Sequence, residues 1–242
     1  MSWRGSEGES AAVSDTVDGR PAVPDAARAA SQAGELNVPF PASCYALYGK
    51  RIVDFSIAFL ALPFLILTLL PVTLAIKLDD GGPVFYRQWR WGRGGRPFRM
   101  WKFRSMVVAA QDLRNADSST MASKDDPRVT RVGRFLRQAS IDELPQLLNV
   151  LAGDMSLVGP RPNLATKPVA EMGEQERRRL AVRPGITGYN QAYYRNTSTL
   201  AERYAADCHY VDHMSLALDL RVVGRTILTV AGRKGIFTEG QR

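Results

Sequence analysis

Between Asp54 and Lys77 the chain carries 22 residues without a formal charge, most of them apolar, within the stretch KRIVDFSIAFLALPFLILTLLPVTLAIK that begins at Lys50. As one straight helix rising about 1.5 Å per residue, this run could cross a hydrocarbon core of about 30 Å. Its length argues against a buried helix of a soluble domain. Pro63 and Pro71 lie inside it, and each removes a backbone donor and favours a kink. Basic residues stand on both flanks, Lys50 and Arg51 before the run, Lys77, Arg87 and Arg90 after it. Positive charge tends to stay on the cytoplasmic side of a membrane. Cations at both ends with a bend between them fit a helix that enters the membrane and returns on the same side, with Pro63 as the favoured apex. Residues 41–80 are therefore assigned to a re-entrant membrane helix, a single crossing being the alternative.

The chain around this helix is basic. Formal charge is +8 over 242 residues, yet residues 1–49 hold three arginines against six acids, so the remainder carries +11. Such a body suits phosphate ligands, acidic lipid or nucleic acid. Residues 1–40 are rich in Ala, Gly, Ser, Pro and Asp, too polar to offset their ordering entropy, and read as a disordered tail without the pattern of a signal peptide. The two cysteines, Cys44 and Cys208, make no disulfide framework and suggest a reducing compartment. His209 and His213 read as a surface pair rather than a zinc site, since no HExxH pattern or neighbouring cysteine supports a metal.

Beyond the helix, residues 84–108 mix aromatics with arginines around a GRGG break and read as a β-hairpin with a glycine turn. The cations Arg87, Arg90, Arg93, Arg96, Arg99 and Lys102 recur every third residue, but Gly92, Gly94, Gly95 and Pro97 argue against a helix. Arg87, Trp89, Arg90 and Trp91 are candidate membrane-interface anchors. Residues 109–126 read as a short helix and loop, 128–151 as helical with a break near Ala139–Asp142, GDMSLVGPRP as a loop, and 167–182 as a charged helix. Residues 199–214 and 215–232 read as two more helices. The class is α+β: mostly short helices, a small hairpin or sheet, one re-entrant helix and amphipathic interfacial helices.

RQASIDELPQLLNVLAGDMSLVGPRP, residues 137–162, sets Asp142 beside Glu143 with Arg137 and Arg161 at its ends. A structural account exists. Ser140 and Glu143 have capping-box spacing, an acid near a helix N-terminus complements its dipole, and Pro145 is tolerated in a first turn. A chemical account also exists. Adjacent carboxylates can divide labour, one attacking phosphorus or taking a proton and the other holding Mg²⁺, which binds one or two carboxylates plus phosphate. Lys102, Arg104, Arg128, Arg131, Arg134, Arg137, Arg161 and Arg183 supply cations of the kind phosphoryl transfer requires.

KRIVDF, GGPVFYRQ, FRMWKFRSM, the long dyad segment, RPGITGYNQ and YVDHMSLALDLR occur in order from Lys50 to the C-terminal part, and together they resemble the bacterial sugar transferases, the small monotopic phosphoglycosyl transferases. The resemblance implies a cytoplasmic catalytic domain over residues 81–242 at the inner membrane. It implies movement of a sugar-1-phosphate from a nucleotide diphosphate sugar to polyprenol phosphate, the first membrane step of polysaccharide assembly. By this resemblance Asp142 is the nucleophile that forms an aspartyl phosphosugar, Glu143 holds Mg²⁺, and Lys102, Arg104, Arg137, Arg161 and Arg183 bind substrate phosphates. Implied partners are the nucleotide sugar (a UDP-sugar), polyprenol phosphate and membrane lipid, with a homodimer compatible and no nucleic acid. One departure stands out: the family bends its membrane helix at a Ser-Pro pair, whereas Pro63 and Pro71 each follow leucine. A rival reading is a non-catalytic, membrane-tethered basic module that binds anionic lipid or nucleic acid, for which the dyad would be only a cap. A two-domain nucleotide-sugar glycosyltransferase would want an Asp-x-Asp motif and alternating β/α units, which the sequence lacks.

Overall fold

The computed structural model describes residues 16–17, 20–21, 23–28, 36, 38–110, 126–194 and 198–231. A π-helical turn, Tyr45–Gly49, leads into helix α1, Lys50–Asp79. Strands β1, Phe85–Trp91, and β2, Pro97–Phe103, form the hairpin. Then follow α2, Arg131–Gln138, a 3₁₀ turn, Ile141–Glu143, and α3, Gln146–Ala152. Strand β3, Ser156–Val158, pairs in parallel with β4, Gly185–Thr187. Helices α4, Glu174–Arg179, α5, Tyr189–Tyr193, α6, Leu200–Asp212, and α7, Leu216–Ala231, complete the described chain. The mixture of short helices and two-stranded sheets agrees with the α+β expectation.

Helix α1 continues through Pro63 and Pro71 as a single helical span, although neither proline can donate to the carbonyl four residues back. At about 1.5 Å per residue its 30 residues extend about 45 Å. It is not apolar and free all round. Lys50, Asp54, Ala58, Leu65, Val72 and Ile76 are buried at helical spacing, so one stripe lies on the rest of the fold for the whole length. The opposite side exposes Ile52, Phe55, Phe59, Leu60, Phe64, Ile66, Leu67, Leu70 and Leu74.

Both ends of α1 are fastened to the same body. At the start, Lys50 donates to Asp219 of α7 at 2.7 Å, Tyr45 and Tyr210 donate to the same carboxylate, and Asp54 accepts from the Leu157 amide of β3. At the end, Asp79 accepts from the Val132 amide in the first turn of α2, a negative charge at a positive helix end. Asp80 forks onto Arg104 just beyond β2.

The core beneath α1 joins Phe98, Met100 and Phe103 of the hairpin to Leu136, Leu147, Val150 and Met155. Burial of each such side chain contributes about 1.5–3 kcal/mol. Asn149 acts as a third strand edge for the hairpin: its amide donates to the Arg99 carbonyl and its oxygen accepts from the Trp101 amide.

Several expectations need correction. GDMSLVGPRP contains β3, because Ser156 and Val158 find parallel partners in RPGITG, a pairing across 29 residues with no local signal. The charged helix is shorter than expected: a 3₁₀ turn at Val169–Glu171 breaks before α4, where Gly173 stands as N-cap. Trp91 is not an interface anchor; it is 1% exposed and donates to the Lys167 carbonyl. Arg87 stacks on Trp101 and Arg99 on Trp89. In the stretch read as a disordered tail, Ala26 and Ala27 are buried against Trp91, Ala165, Met172 and Leu180. The helix expected near 109–126 falls mostly outside the described residues.

Candidate active site

The dyad sits where α2 hands over to α3, and the handover is not the capping box the sequence suggests. Ser140 has φ +56° and makes no side-chain cap; its carbonyl, not its hydroxyl, receives the Glu143 amide. The left-handed residue turns the chain sharply out of α2, a conformation that non-glycine residues adopt at a cost of about 1–3 kcal/mol and mostly where function demands it. Ile141–Glu143 then forms a single 3₁₀ turn, and α3 starts after Pro145. In a turn of three residues, neighbours point about 120° apart. Asp142 therefore enters the interior, while Glu143 faces the hairpin.

Asp142 is 7% exposed, and no hydrogen bond or ion pair among the described residues holds its carboxylate. Burial pushes it up to about 6, against the opposing pull of Lys102, Arg137 and Arg161; the Glu143 charge pushes the same way as burial. Glu143 is the opposite case. Burial would raise it, but Lys102, Arg161 and Arg90 together hold it well below the usual range. Lys102 Nζ lies 2.6 Å from Glu143 Oε1, and Arg161 Nη2 lies 3.7 Å from the same oxygen. One carboxylate is thus tied down and ionised, and its neighbour is buried and unbonded.

Each cation has a backbone reason for its position. In the hairpin register Lys102 faces Tyr86, and strand alternation puts Tyr86, Gln88, Arg90, Met100 and Lys102 on one face. Arg137 lies in the last turn of α2 and donates to Ser105 Oγ at 3.0 Å. That contact depends on Gly133: a Cβ there would lie 2.0 Å from the Ser105 carbonyl oxygen, so only glycine lets α2 approach so closely. Arg161 reaches Glu143 from the Gly159–Pro162 loop, its side chain 55% exposed.

A small cleft joins Arg90, Met100, Lys102, Glu143, Gln146, Arg161 and Ile186. Lys102, Glu143 and Arg161 line this cleft, and with Asp142 and Arg137, which do not line it but lie among their charged neighbours, they are brought together. Arg104 and Arg183 are not. Arg104 is buried in its fork with Asp80 and also donates to the Pro83 carbonyl, so it ties α1 to the hairpin. Arg183 donates to the Gly153 carbonyl, and its charged neighbours are Arg51, Arg93 and Asp54. Arg51 takes the Val150 and Leu151 carbonyls, so both arginines cap the negative end of α3. Arg90 is the site residue the sequence reading missed; period-two alternation along the hairpin would have set it on the Lys102 face.

Mg²⁺ needs few protein ligands, since it keeps substrate phosphates and waters. Glu143 fits that modest role: its closest contacts with Lys102 and Arg161 both fall on Oε1, and Oε2 could hold a metal. No group of three or more His, Cys, Asp or Glu side chains forms a fuller metal site among the described residues, His209 and His213 included.

These features define a small α+β protein whose long apolar helix is bolted to a cation-lined carboxylate suited to chemistry at phosphorus. The chain belongs to the bacterial sugar transferase family, whose pattern matches residues 45–233. It is 41% identical over 185 residues to the UDP-glucose:undecaprenyl-phosphate glucose-1-phosphate transferase of Escherichia coli, covering 74% of this chain and 39% of that protein. It is 44% identical over 186 residues to the protein of the same name from Caulobacter vibrioides, covering 74% of this chain and 68% of that one. It is 39% identical over 190 residues to the exopolysaccharide production protein PSS of Rhizobium leguminosarum, covering 74% of this chain and 94% of that one. The chain spans about two fifths of the length of the longer relatives, such as the E. coli protein and the one from Xanthomonas campestris.

Proposed function

We propose that the protein transfers a sugar-1-phosphate from a nucleotide diphosphate sugar, a UDP-sugar, to polyprenol phosphate at the cytoplasmic face of the inner membrane, starting assembly of an exopolysaccharide. The observation that carries the reading is the unpaired, buried Asp142 among Lys102, Arg137 and Arg161, beside a Glu143 already committed to Lys102. A carboxylate used as a nucleophile must be ionised yet unclaimed. Asp142 meets both conditions above about pH 6.

In the first step an Asp142 oxygen attacks the sugar-bearing phosphorus, the phosphoanhydride bond breaks, and nucleoside monophosphate leaves with the bonding pair. In the second, a phosphate oxygen of the lipid attacks the aspartyl phosphosugar and Asp142 leaves as carboxylate, giving the polyprenyl diphosphosugar. Lys102, Arg137 and Arg161 offset charge as it develops on the equatorial oxygens. Mg²⁺, held by Glu143, would add charge neutralisation on the diphosphate.

Membrane placement follows from the fastening of α1. Lys50 and Asp54 at one end and Asp79 and Asp80 at the other bond to the same body, which supports the reading that both ends lie on one side of the bilayer. The exposed apolar face between them, on a helix that continues through Pro63 and Pro71, is the surface that meets the lipid. The test is to supply purified protein with polyprenol phosphate, Mg²⁺ and a panel of nucleotide sugars, and to identify the nucleotide released. Release of UMP and a phosphosugar adduct on Asp142 by mass spectrometry are expected; release of UDP, or an adduct on another residue, overturns the mechanism. Salt-sensitive anion binding without transfer would instead favour the basic-module reading.

A further inference from the structure

Arg161 stands on the sequence Gly159-Pro160-Arg161-Pro162, which has a peculiar difficulty. Proline has no N–H, so this loop can be held by its carbonyls but scarcely by its amides. Its carbonyls are captured one after another. Pro160 O accepts from the Gly185 amide at 3.0 Å, Arg161 O from Arg179 Nη2 at 2.7 Å, Pro162 O from Arg90 Nη1 at 2.9 Å, and Asn163 O from the Trp91 amide at 3.0 Å. The two outer bonds are backbone to backbone. The two inner ones, which flank Arg161, come from arginine side chains on different elements.

Both of those arginines are themselves oriented. Arg90 rises from β1 and spends its second nitrogen on Gln88 Oε1 at 2.6 Å. Arg179 ends α4, pairs with Asp207 at 2.8 Å with both side chains buried, and stacks on Tyr204. The Arg161 side chain, by contrast, is 55% exposed and makes one long contact, 3.7 Å to Glu143. A fixed backbone thus presents an exposed guanidinium at the mouth of the cleft.

We propose that Arg90 and Arg179 are positioning residues, a two-sided clamp on successive carbonyls that sets where the Arg161 guanidinium meets the donor's diphosphate. The inference rests on the phosphosugar-transfer reading for its catalytic consequence. The clamp is independent of that reading. Arginine suits the task because its planar donors reach two acceptors at once, which an ammonium cannot do in the same geometry.

The test is a double-mutant cycle on the full chain in lipid nanodiscs. Arg161→Gln is expected to lower kcat about 100-fold, and Arg90→Gln about tenfold with KM for the lipid acceptor unchanged. The double variant should lose clearly less than the product of the two single losses, because the larger part of the Arg90 effect runs through the side chain already removed and only the remainder through Glu143. Multiplied losses in the double variant overturn the clamp. Arg90→Lys keeps the charge but not the two-acceptor fork, so it should recover little of the loss, and full recovery counts against fork geometry. Arg179 is deeply buried, so Gln88→Ala, which removes only the acceptor that orients Arg90, is the second variant; it should show the same lack of multiplication with a smaller loss. Amide hydrogen exchange at Trp91, Ala165 and Gly185, which donate to the Asn163, Trp89 and Pro160 carbonyls around the loop, separates the clamp from the reaction: faster exchange in Arg90→Gln is expected whether or not any sugar is transferred, and unchanged exchange refutes the clamp. Failure of the wild-type chain to release nucleotide from any donor would sink the transfer reading instead.

Discussion

Asp142→Asn should make the protein inactive and more stable, with a stability gain that depends on pH. The folded carboxyl is pushed up to about 6 from an ordinary value of 3.8, chiefly by burial. A shift of roughly two units at about 1.4 kcal/mol each corresponds to about 3 kcal/mol of opposition to the ionised form. Asp142 is 7% exposed, so solvent screens little of this. The sign follows from proton binding. Because the folded pKa lies above the unfolded one, the favourable contribution of the protonated group is fully present below about pH 4 and is lost as pH rises through about 6. Asparagine stands in for the neutral acid at every pH. The wild type and variant should therefore melt together near pH 4, while at pH 7.5 the variant gains about 3 kcal/mol. At about 2–4 °C per kcal/mol for a domain of this size, that is about 6–12 °C. Glu143 stays ionised across this window, since Lys102, Arg161 and Arg90 outweigh its burial, so it does not blur the comparison. Tryptophan fluorescence melts in one detergent, at one scan rate and at several pH values, measure the gap. A gap of equal size at pH 4.5 and 7.5, or a variant less stable at pH 7.5, would refute the desolvation account of the site.

Transfer activity should rise with pH through an apparent pKa near 6 as Asp142 ionises, and Lys102→Met should move that limb upward while lowering kcat by about 10²–10³, read from pH–rate profiles. Gly133→Ala should cost about 1–3 kcal/mol or more and weaken transfer, because the new Cβ would lie 2.0 Å from the Ser105 oxygen and must push Arg137 away; paired melts and rate measurements check it. Asp219→Asn leaves Lys50 and two tyrosine hydroxyls around a weakened partner at the root of α1. A loss of about 3–5 kcal/mol is expected, measured as faster limited proteolysis at residues 45–50.

The parts of this protein that are legible in sequence are those set by neighbours along the chain. The apolar run with its flanking cations announces α1, because length and polarity are counted residue by residue. The hairpin at 85–103 follows from its glycine break, and the interruption between α2 and α3 from the crowding of Ser140, Asp142 and Pro145. Asp142, Glu143, Lys102, Arg137 and Arg161 could be named because they stand in short, densely charged motifs.

What tertiary structure decided is which of the cations serve the dyad and how α1 relates to it. Arg104 and Arg183 look like Lys102 and Arg161 in sequence, yet Asp80 claims one and the end of α3 claims the other. Arg90 looks like a surface cation, yet pairing of β1 with β2 turns it onto the Lys102 face. Ser140 reads as a cap and is instead a left-handed turn, because direct contact between α2 and Ser105 fixes the direction from which the chain must arrive. The physical reason is common to all of these: composition and spacing determine what a side chain is able to bind, whereas long-range packing determines which acceptor reaches it first.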